Sequence, residues 1–279
     1  MLVNLSELML PALKRGYAVP CFNVFGYEDA LAVINAAEAR NAGVILAVNL
    51  DMTLFMPLDH IIGMLKPLAT SSTVPVCLHL DHNYDIPTVL KAIDAGFTSV
   101  MYDGSQLPIA DNIAGVKQVV AHAKPKGVSV EAEVGSVPYA TGRDHIKSEL
   151  TDINEAQMML EQAQPDVLAV SVGNVHRLED TFVEIDFDRF KALQAALNVP
   201  LVIHGTSGVK SHDIQTLAKA NVCKFNIGTE LRMAFGAAMR RAVNADPDRF
   251  DRVTILKETH DPLVAATKQV LQAFGGGKG

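Results

Sequence analysis

A chain of 279 residues, 49% hydrophobic and 20% charged, has the make-up of a globular protein with a sizeable core, which excludes the disordered and fibrous classes. Its formal charge of −7 argues against general affinity for nucleic acid or an acidic membrane surface, and the richest apolar region, Ala30–Leu50, is broken by Glu38, Arg40 and Asn41 before it could span a bilayer. Cys21, Cys77 and Cys223 lie in separate apolar runs with no CxxC pair, so buried free thiols and a cytoplasmic setting are expected.

The opening MLVNLSELMLPALKRG carries its basic residues after the apolar ones, the reverse of a secretory signal, and predicts an amphipathic helix opened by Asn4 or Ser6. Short β-branched runs then alternate with helical patterns to the end of the chain. The runs predict strands at Ala18–Val24, Val44–Asn49, Val76–His82, Ser99–Asp103, Ser129–Val134, Val167–Val172, Leu201–His204 and Lys224–Ile227. Helices are predicted at Glu28–Asn41, Leu58–Ser71, Asp85–Ala95, Pro108–Ala123, Asn154–Gln164, Phe187–Leu197, Ser211–Ala220 and Glu230–Ala245. Two stretches exceed compact connections: Ser136–Leu150, with the make-up of a lid, and a carboxyl-terminal extension with a helix from about Pro262 to Phe274 and a glycine-rich tail.

Eight βα units predict an α/β fold, a (β/α)8 TIM barrel forming a single domain over 1–279, with an extra N-terminal helix and a C-terminal helical extension. An open doubly wound sheet is the rival. A dinucleotide-binding sheet would place GxGxxG after the first strand, where this chain reads Phe22-Asn-Val-Phe-Gly.

The chemistry is expected at the carboxyl ends of the strands, where Asn23, Asn49, Asp81, His82, Asp103, Glu133, His176, His204 and Asn226 fall. His82, His176 and His204 each end an apolar run. Three neutral imidazoles would leave a zinc ion an open coordination position, as a Lewis-acid catalyst needs, with Asp81 beside them as proton carrier. Histidines at strand ends also serve as ordinary hydrogen-bonded residues; the shared position of the three favours the ligand reading. His79 points away from His82's face if the strand stays regular. Gly205-Thr206-Ser207-Gly208 and Asn226-Ile227-Gly228-Thr229 follow the last two strands, where glycine-rich loops and a helix start often cradle phosphate; tight turns would use the same residues. A metal, a carboxylate and a phosphate cradle together fit aldol cleavage of a phosphorylated ketose.

On these motifs the sequence resembles the zinc-dependent class II ketose-bisphosphate aldolases, the fructose- and tagatose-bisphosphate type. VPCFNV, LHLDH, SVMYDGS, VEAEVG, VIHGTSG, KFNIGTEL and the terminal FGGGKG carry the resemblance over nearly the whole chain. It implies that His82, His176 and His204 hold catalytic Zn2+, that Asp103 and Glu133 serve a second divalent position, and that Asp81 takes the proton from the C4 hydroxyl as the C3–C4 bond breaks. Gly205, Thr206 and Ser207 with Asn226, Ile227, Gly228 and Thr229 would hold the dihydroxyacetone phosphate half. A monovalent cation and a homodimer or homotetramer are further family expectations.

The departures bear on substrate choice. Arg177 follows His176 where the family usually has glycine, Asn49 stands where a small hydroxyl residue is frequent, and Asn83 takes another frequent glycine position. The lid offers Arg143, Asp144, His145, Lys147 and Glu149 in place of an acidic pair. Arg177, with Asn49 and a lid cation, is expected to read a distal anion other than an ordinary phosphate, a sulfonate as in 6-deoxy-6-sulfofructose 1-phosphate being one such group. Arg249 or Arg252 in the family's distal-phosphate role would instead leave ordinary bisphosphate cleavage. A tagatose-bisphosphate aldolase, a non-catalytic aldolase-like subunit and a metal-dependent hydrolase barrel are the alternatives. Class I chemistry is not expected, because Lys224 opens its strand far from the rim without a desolvated partner pattern.

Overall fold

The computed structural model describes residues 1–178 and 181–275. Eight parallel strands form a ring: β2 (Val19–Asn23), β3 (Val44–Val48), β4 (Val76–Asn83), β5 (Ser99–Tyr102), β6 (Ser129–Val134), β7 (Val167–Val170), β8 (Leu201–Ile203) and β9 (Val222–Ile227). Strand β2 pairs with β9, and β4 with β5, so the sheet has no free edge and the open-sheet alternative is excluded. A short additional strand, β1 (Leu2–Val3), pairs with the start of β4 and lies outside the ring. Its two residues are too few to register as a strand in the sequence pattern.

Helix α1 (Leu5–Arg15) is opened by a capping box in which Asn4 and Glu7 satisfy each other's backbone amides, and Gly16 ends it in the left-handed region. Its Leu5, Leu8, Met9 and Ala12 enter a small core with Val19, Cys21, Ile45, Ala47, Cys77 and Val202, closing the amino end of the barrel. Burying each large side chain there contributes roughly 1.5–3 kcal/mol, enough to hold one helix as a plug. A larger core joins the outer faces of the strands to the surrounding helices, α2 (Tyr27–Ala39), α4 (Leu58–Ser71), α5 (Ile86–Ala95), α6 (Ile109–Ala123), α7 (Ile153–Gln162), α8 (Phe187–Ala196), α9 (Ser211–Lys219) and α10 (Thr229–Ala245).

Two predicted features are corrected. Asn49 does not close a strand; it caps α3 (Leu50–Phe55), accepting from the Met52 amide at 3.2 Å. One turn and a half is too short for a helical period to show. The extension is one helix, α11 (Arg252–Ala273), beginning ten residues before Pro262 because Asp251 caps it on the Thr254 amide. Pro262 lies inside it and removes one ladder bond, while Thr259, Leu263, Thr267 and Leu271 form a buried stripe at helical spacing. That stripe packs on the chain's own barrel, where α11 lies against α2 and α10. Of the FGGGKG motif, Gly276 to Gly279 lie outside the described residues.

Strand β4 is irregular where it matters. Its pairing with β5 shifts register between Leu80 and Asn83, and His82 has φ +35°, in the left-handed region. A regular strand would send Asp81 and His82 to opposite faces; the bulge brings both to the rim.

Candidate metal and substrate site

The three predicted histidines converge. His82 from the β4 bulge, His176 from the loop after β7 and His204 immediately after β8 are buried, with one ring nitrogen from each within 4.8 Å of the others. Each ring has one nitrogen without a hydrogen-bond partner: Nε2 of His82, Nε2 of His176 and Nδ1 of His204. The opposite nitrogens of two are occupied, since His82 Nδ1–H donates to Asp103 Oδ2 at 2.7 Å and His204 Nε2–H donates to Glu131 Oε1 at 2.8 Å. Carboxylate contacts of this kind fix the tautomer and orientation of a metal-ligating imidazole. Three buried ring nitrogens with no hydrogen-bond partner fit a divalent cation.

Electrostatics support the same reading. Burial lowers His176 to about 3 with help from the charge on His82, and lowers His204 well below the usual imidazole range. Both are therefore neutral donors at neutral pH. Burial also works to lower His82, but Asp81 and the bond to Asp103 outweigh it and raise it to about 9. His82 thus carries a proton that a metal would replace.

Asp103 and Glu133 come together with His82 as a second group of residues that could hold a metal ion. Glu133 Oε1 accepts from the Val137 amide at 3.3 Å, while Oε2 makes no hydrogen bond and stands 3.9 Å from His82 Nδ1; burial together with the Asp103 charge raises the carboxyl to about 8. A buried carboxyl oxygen without a donor fits a cation-dependent role.

Asp81 is gripped through both oxygens, by Asn23 Nδ2 at 2.9 Å and Asn226 Nδ2 at 2.8 Å. Burial would raise its pKa, yet His82, Lys224 and His204 hold it well below the ordinary carboxylate range, so it stands ionised as a base. The amides of Asn23 and Asn226 are thus directed at Asp81 as well as lining the cavity.

A cavity opens at the carboxyl ends of the strands. Asn23, Asn49, Asp81, His82, His176, Arg177, Gly205, Thr206, Ser207, Asn226, Gly228 and Thr229 line it. Asp103, Glu133, His204 and Ile227 lie behind this wall. Gly205 has φ +63°, and a Cβ there would stand 2.4 Å from the Val175 carbonyl oxygen and 2.8 Å from the His176 amide. Only glycine fits. Thr206 Oγ1 is buried without a partner, and Gly228 and Thr229 begin the 17-residue α10.

Some residues of the site's surroundings escaped the sequence reading. Glu131, His79 and Lys224 form a fully buried polar network below the metal corner, with Lys224 Nζ 3.1 and 3.0 Å from the two Glu131 oxygens and 2.6 Å from Asn226 Oδ1. Lys224 therefore does have desolvated partners. Burial would lower it, but the Cys21 thiol, Glu131 and Asp81 raise it, so it remains an ammonium unsuited to imine formation. His79 lies beneath the site, 4.0 Å from Asp81 on the same inward face, and the irregularity at His82 brings that residue to the site as well. The signal was available: Glu131 with Glu133, His79 with Asp81 and Lys224 with Asn226 are each two apart and share an inward face.

The lid also enters the site. Tyr139 stacks on His176 with ring centroids 4.4 Å apart, and backbone bonds join Ala140 to His176 and His176 to Pro138. Arg143 and Arg177 lie over the Tyr139 ring and share Asp51. Arg249 is instead ion-paired with Asp246 and Glu258.

The family model described as "Fructose-bisphosphate aldolase class-II" matches residues 3–278. The chain is 37% identical to a 6-phospho-5-dehydro-2-deoxy-D-gluconate aldolase of Halalkalibacterium halodurans, covering 98% of this chain and 96% of that one. It is 33% identical to a fructose-bisphosphate aldolase of Staphylococcus aureus, covering 98% and 97%. Among solved structures, the YdjI aldolase from Escherichia coli K12 superposes with a TM-score of 0.86 at 29% identity, covering 100% and 99%. Family match, barrel and convergent histidines agree, and the chain belongs to the class II fructose-bisphosphate aldolase family, an aldolase and hence a lyase.

Proposed function

We propose that the protein reversibly cleaves a phosphorylated ketose into dihydroxyacetone phosphate and an aldehyde that ends in an anion, with His82, His176 and His204 holding a zinc ion. The carrying observation is the set of three buried ring nitrogens without hydrogen-bond partners beside an ionised Asp81 at the wall of the cavity. Zinc, when bound, supplies Lewis-acid polarisation of the ketose oxygens. Asp81, steadied by Asn23 and Asn226, takes the proton from the C4 hydroxyl in cleavage and returns it in condensation. The buried Thr206 hydroxyl, the Gly205 turn and the amides opening α10 bind the phosphate of the dihydroxyacetone half. Asp103 and Glu133 are the residues for a second divalent ion.

Arg177 and Arg143 are the residues for the distal anion, with Asn49 nearby. A carboxylate is the favoured group. Asp51 already seats a carboxylate between the two guanidiniums, and one relative is named for a gluconate, whose cleavage between C3 and C4 would give dihydroxyacetone phosphate and a carboxylate-bearing aldehyde. A sulfonate shares the single charge and is the second reading; fructose and tagatose bisphosphates are the others. The cytoplasm as compartment and a homodimer or homotetramer belong to this reading, and no helix among the described residues is long and apolar enough to cross a membrane.

The test is dihydroxyacetone phosphate release by the zinc-loaded protein from 6-phospho-5-dehydro-2-deoxy-D-gluconate, 6-deoxy-6-sulfofructose 1-phosphate, fructose 1,6-bisphosphate and tagatose 1,6-bisphosphate at equal concentration. Release that a chelator abolishes and zinc restores is expected. Release from none of the four would favour a non-catalytic subunit.

A further inference from the structure

Asp51 sits in the first turn of α3, a short helix whose place after β3 is set by the Asn49 cap. Its two oxygens are divided between two cations: Oδ1 accepts from Arg143 Nη2 at 3.0 Å and Oδ2 accepts from Arg177 Nη2 at 2.8 Å. Those cations come from separate loops, the lid and the segment after β7, and their guanidinium carbons lie 5.0 and 5.5 Å from the centroid of Tyr139. Tyr139 in turn stacks on His176. A continuous ladder therefore runs from the metal corner through Tyr139 to the arginine pair and ends at Asp51.

The arrangement is fixed more firmly on the cationic side. Arg143 is 11% and Arg177 24% exposed, against 47% for Asp51. Arg143 Nη1 also donates to the Tyr84 and Tyr139 hydroxyls at 3.3 and 3.4 Å. Arg177 is held at φ +56°, and its Nη1 would lie 3.2 Å from a Cβ placed on Gly142, so the lid backbone packs closely against it. Two fixed positive charges and one fixed negative charge leave the seat with a single unit of positive charge. A terminal carboxylate or sulfonate brings that sum to zero. A terminal phosphate, close to doubly charged above its second pKa of about 6, overshoots it and faces the Asp51 carboxylate.

Resting on the aldolase reading above, we propose that Asp51 is a specificity-determining residue: by cancelling one of the two arginine charges, it tunes the distal seat to aldehydes ending in a monoanion and against those ending in phosphate. Asp51 acts through Arg143 and Arg177 and has no part in the proton transfer. Binding of the dihydroxyacetone phosphate half, common to all the substrates, is unaffected by it.

The experiment compares kcat/KM for fructose 1,6-bisphosphate and 6-deoxy-6-sulfofructose 1-phosphate, which differ only in the distal group, in the zinc-loaded protein and in its Asp51→Asn and Asp51→Glu variants. Asp51→Asn should raise the phosphate-to-sulfonate ratio on the order of tenfold, as expected for removing one nearby like charge; Asp51→Glu, which keeps the charge, should leave the ratio within about twofold. The same ratio in the unaltered protein should rise as the pH falls from 8 to 5.5, because only the distal phosphate titrates differentially between the two substrates. This second measurement stands even where a variant fails to fold. A ratio that is unmoved by Asp51→Asn, or flat with pH, overturns the proposal while leaving the aldolase reading intact. Failure of the unaltered protein to release dihydroxyacetone phosphate from any of the four substrates named above overturns the aldolase reading and the proposal with it, and release that excludes both members of this pair overturns the proposal alone.

Discussion

In the proposed reaction Asp81 is the residue on which the chemistry turns. Its two oxygens are held by Asn23 and Asn226, and the surrounding charges keep it ionised despite complete burial. Asp81→Asn keeps the shape and removes the base, so kcat should fall about 10²–10⁴-fold with zinc content unchanged; near-normal kcat would assign the proton transfer elsewhere. Arg177→Ala is expected to raise KM for the true substrate with a smaller change in kcat, since a guanidinium on a distal anion contributes binding shared by ground and transition states. Steady-state kinetics check both. LHLDH and HGTSG made Asp81, His82 and His204 legible in the sequence. Asp51, Arg143 and Tyr139 were not legible as a unit, because they come from three segments brought together only by packing.

Single elements decide whether those residues meet. The β4 bulge turns His82 into the left-handed region, and the Gly205 turn lets the chain after β8 pass under the Val175 carbonyl. Gly205→Ala puts a Cβ 2.4 Å from that oxygen at a positive φ, so it should cost on the order of 1–3 kcal/mol or more and displace His176. A lowered melting temperature and a lowered zinc content on purification would both follow; a normal zinc content would mean that the loop yields elsewhere. At the start of α2, Asp29 accepts from the Phe25 and Gly26 amides while burial raises its carboxyl to about 6. The folded state therefore holds this proton more tightly than the unfolded chain does. Its contribution is fully present below about pH 4 and is lost as the pH rises through 6. The melting-temperature advantage of the native protein over Asp29→Asn should accordingly shrink between pH 4 and pH 6.5, and growth over that interval would contradict the assignment.

At the scale of the whole molecule, the three histidines stand on or after three different strands, so a metal bound there would link β4, β7 and β8. Binding a thousandfold above Kd adds about 4 kcal/mol, and each kcal/mol moves Tm by roughly 2–4 °C in a protein of this size. Chelation should therefore lower Tm on the order of 10 °C, with zinc restoring it; an unchanged Tm would deny the site any strong metal. The sequence by itself determined the eight-unit alternation, the barrel class, the strand-end histidines and the family, because hydrophobic period and short contiguous motifs are local properties of the chain. It also fixed the identity of the inward residues Glu131 and Lys224, although their partnership stayed hidden. Only the tertiary structure decided that β2 closes on β9, that Asn49 caps a helix, that α11 lies on its own barrel, and that one carboxylate bridges two arginines at the mouth of the site. Those are contacts between residues tens to hundreds of positions apart, set by closure of the ring and by side-chain packing, and no local pattern records them.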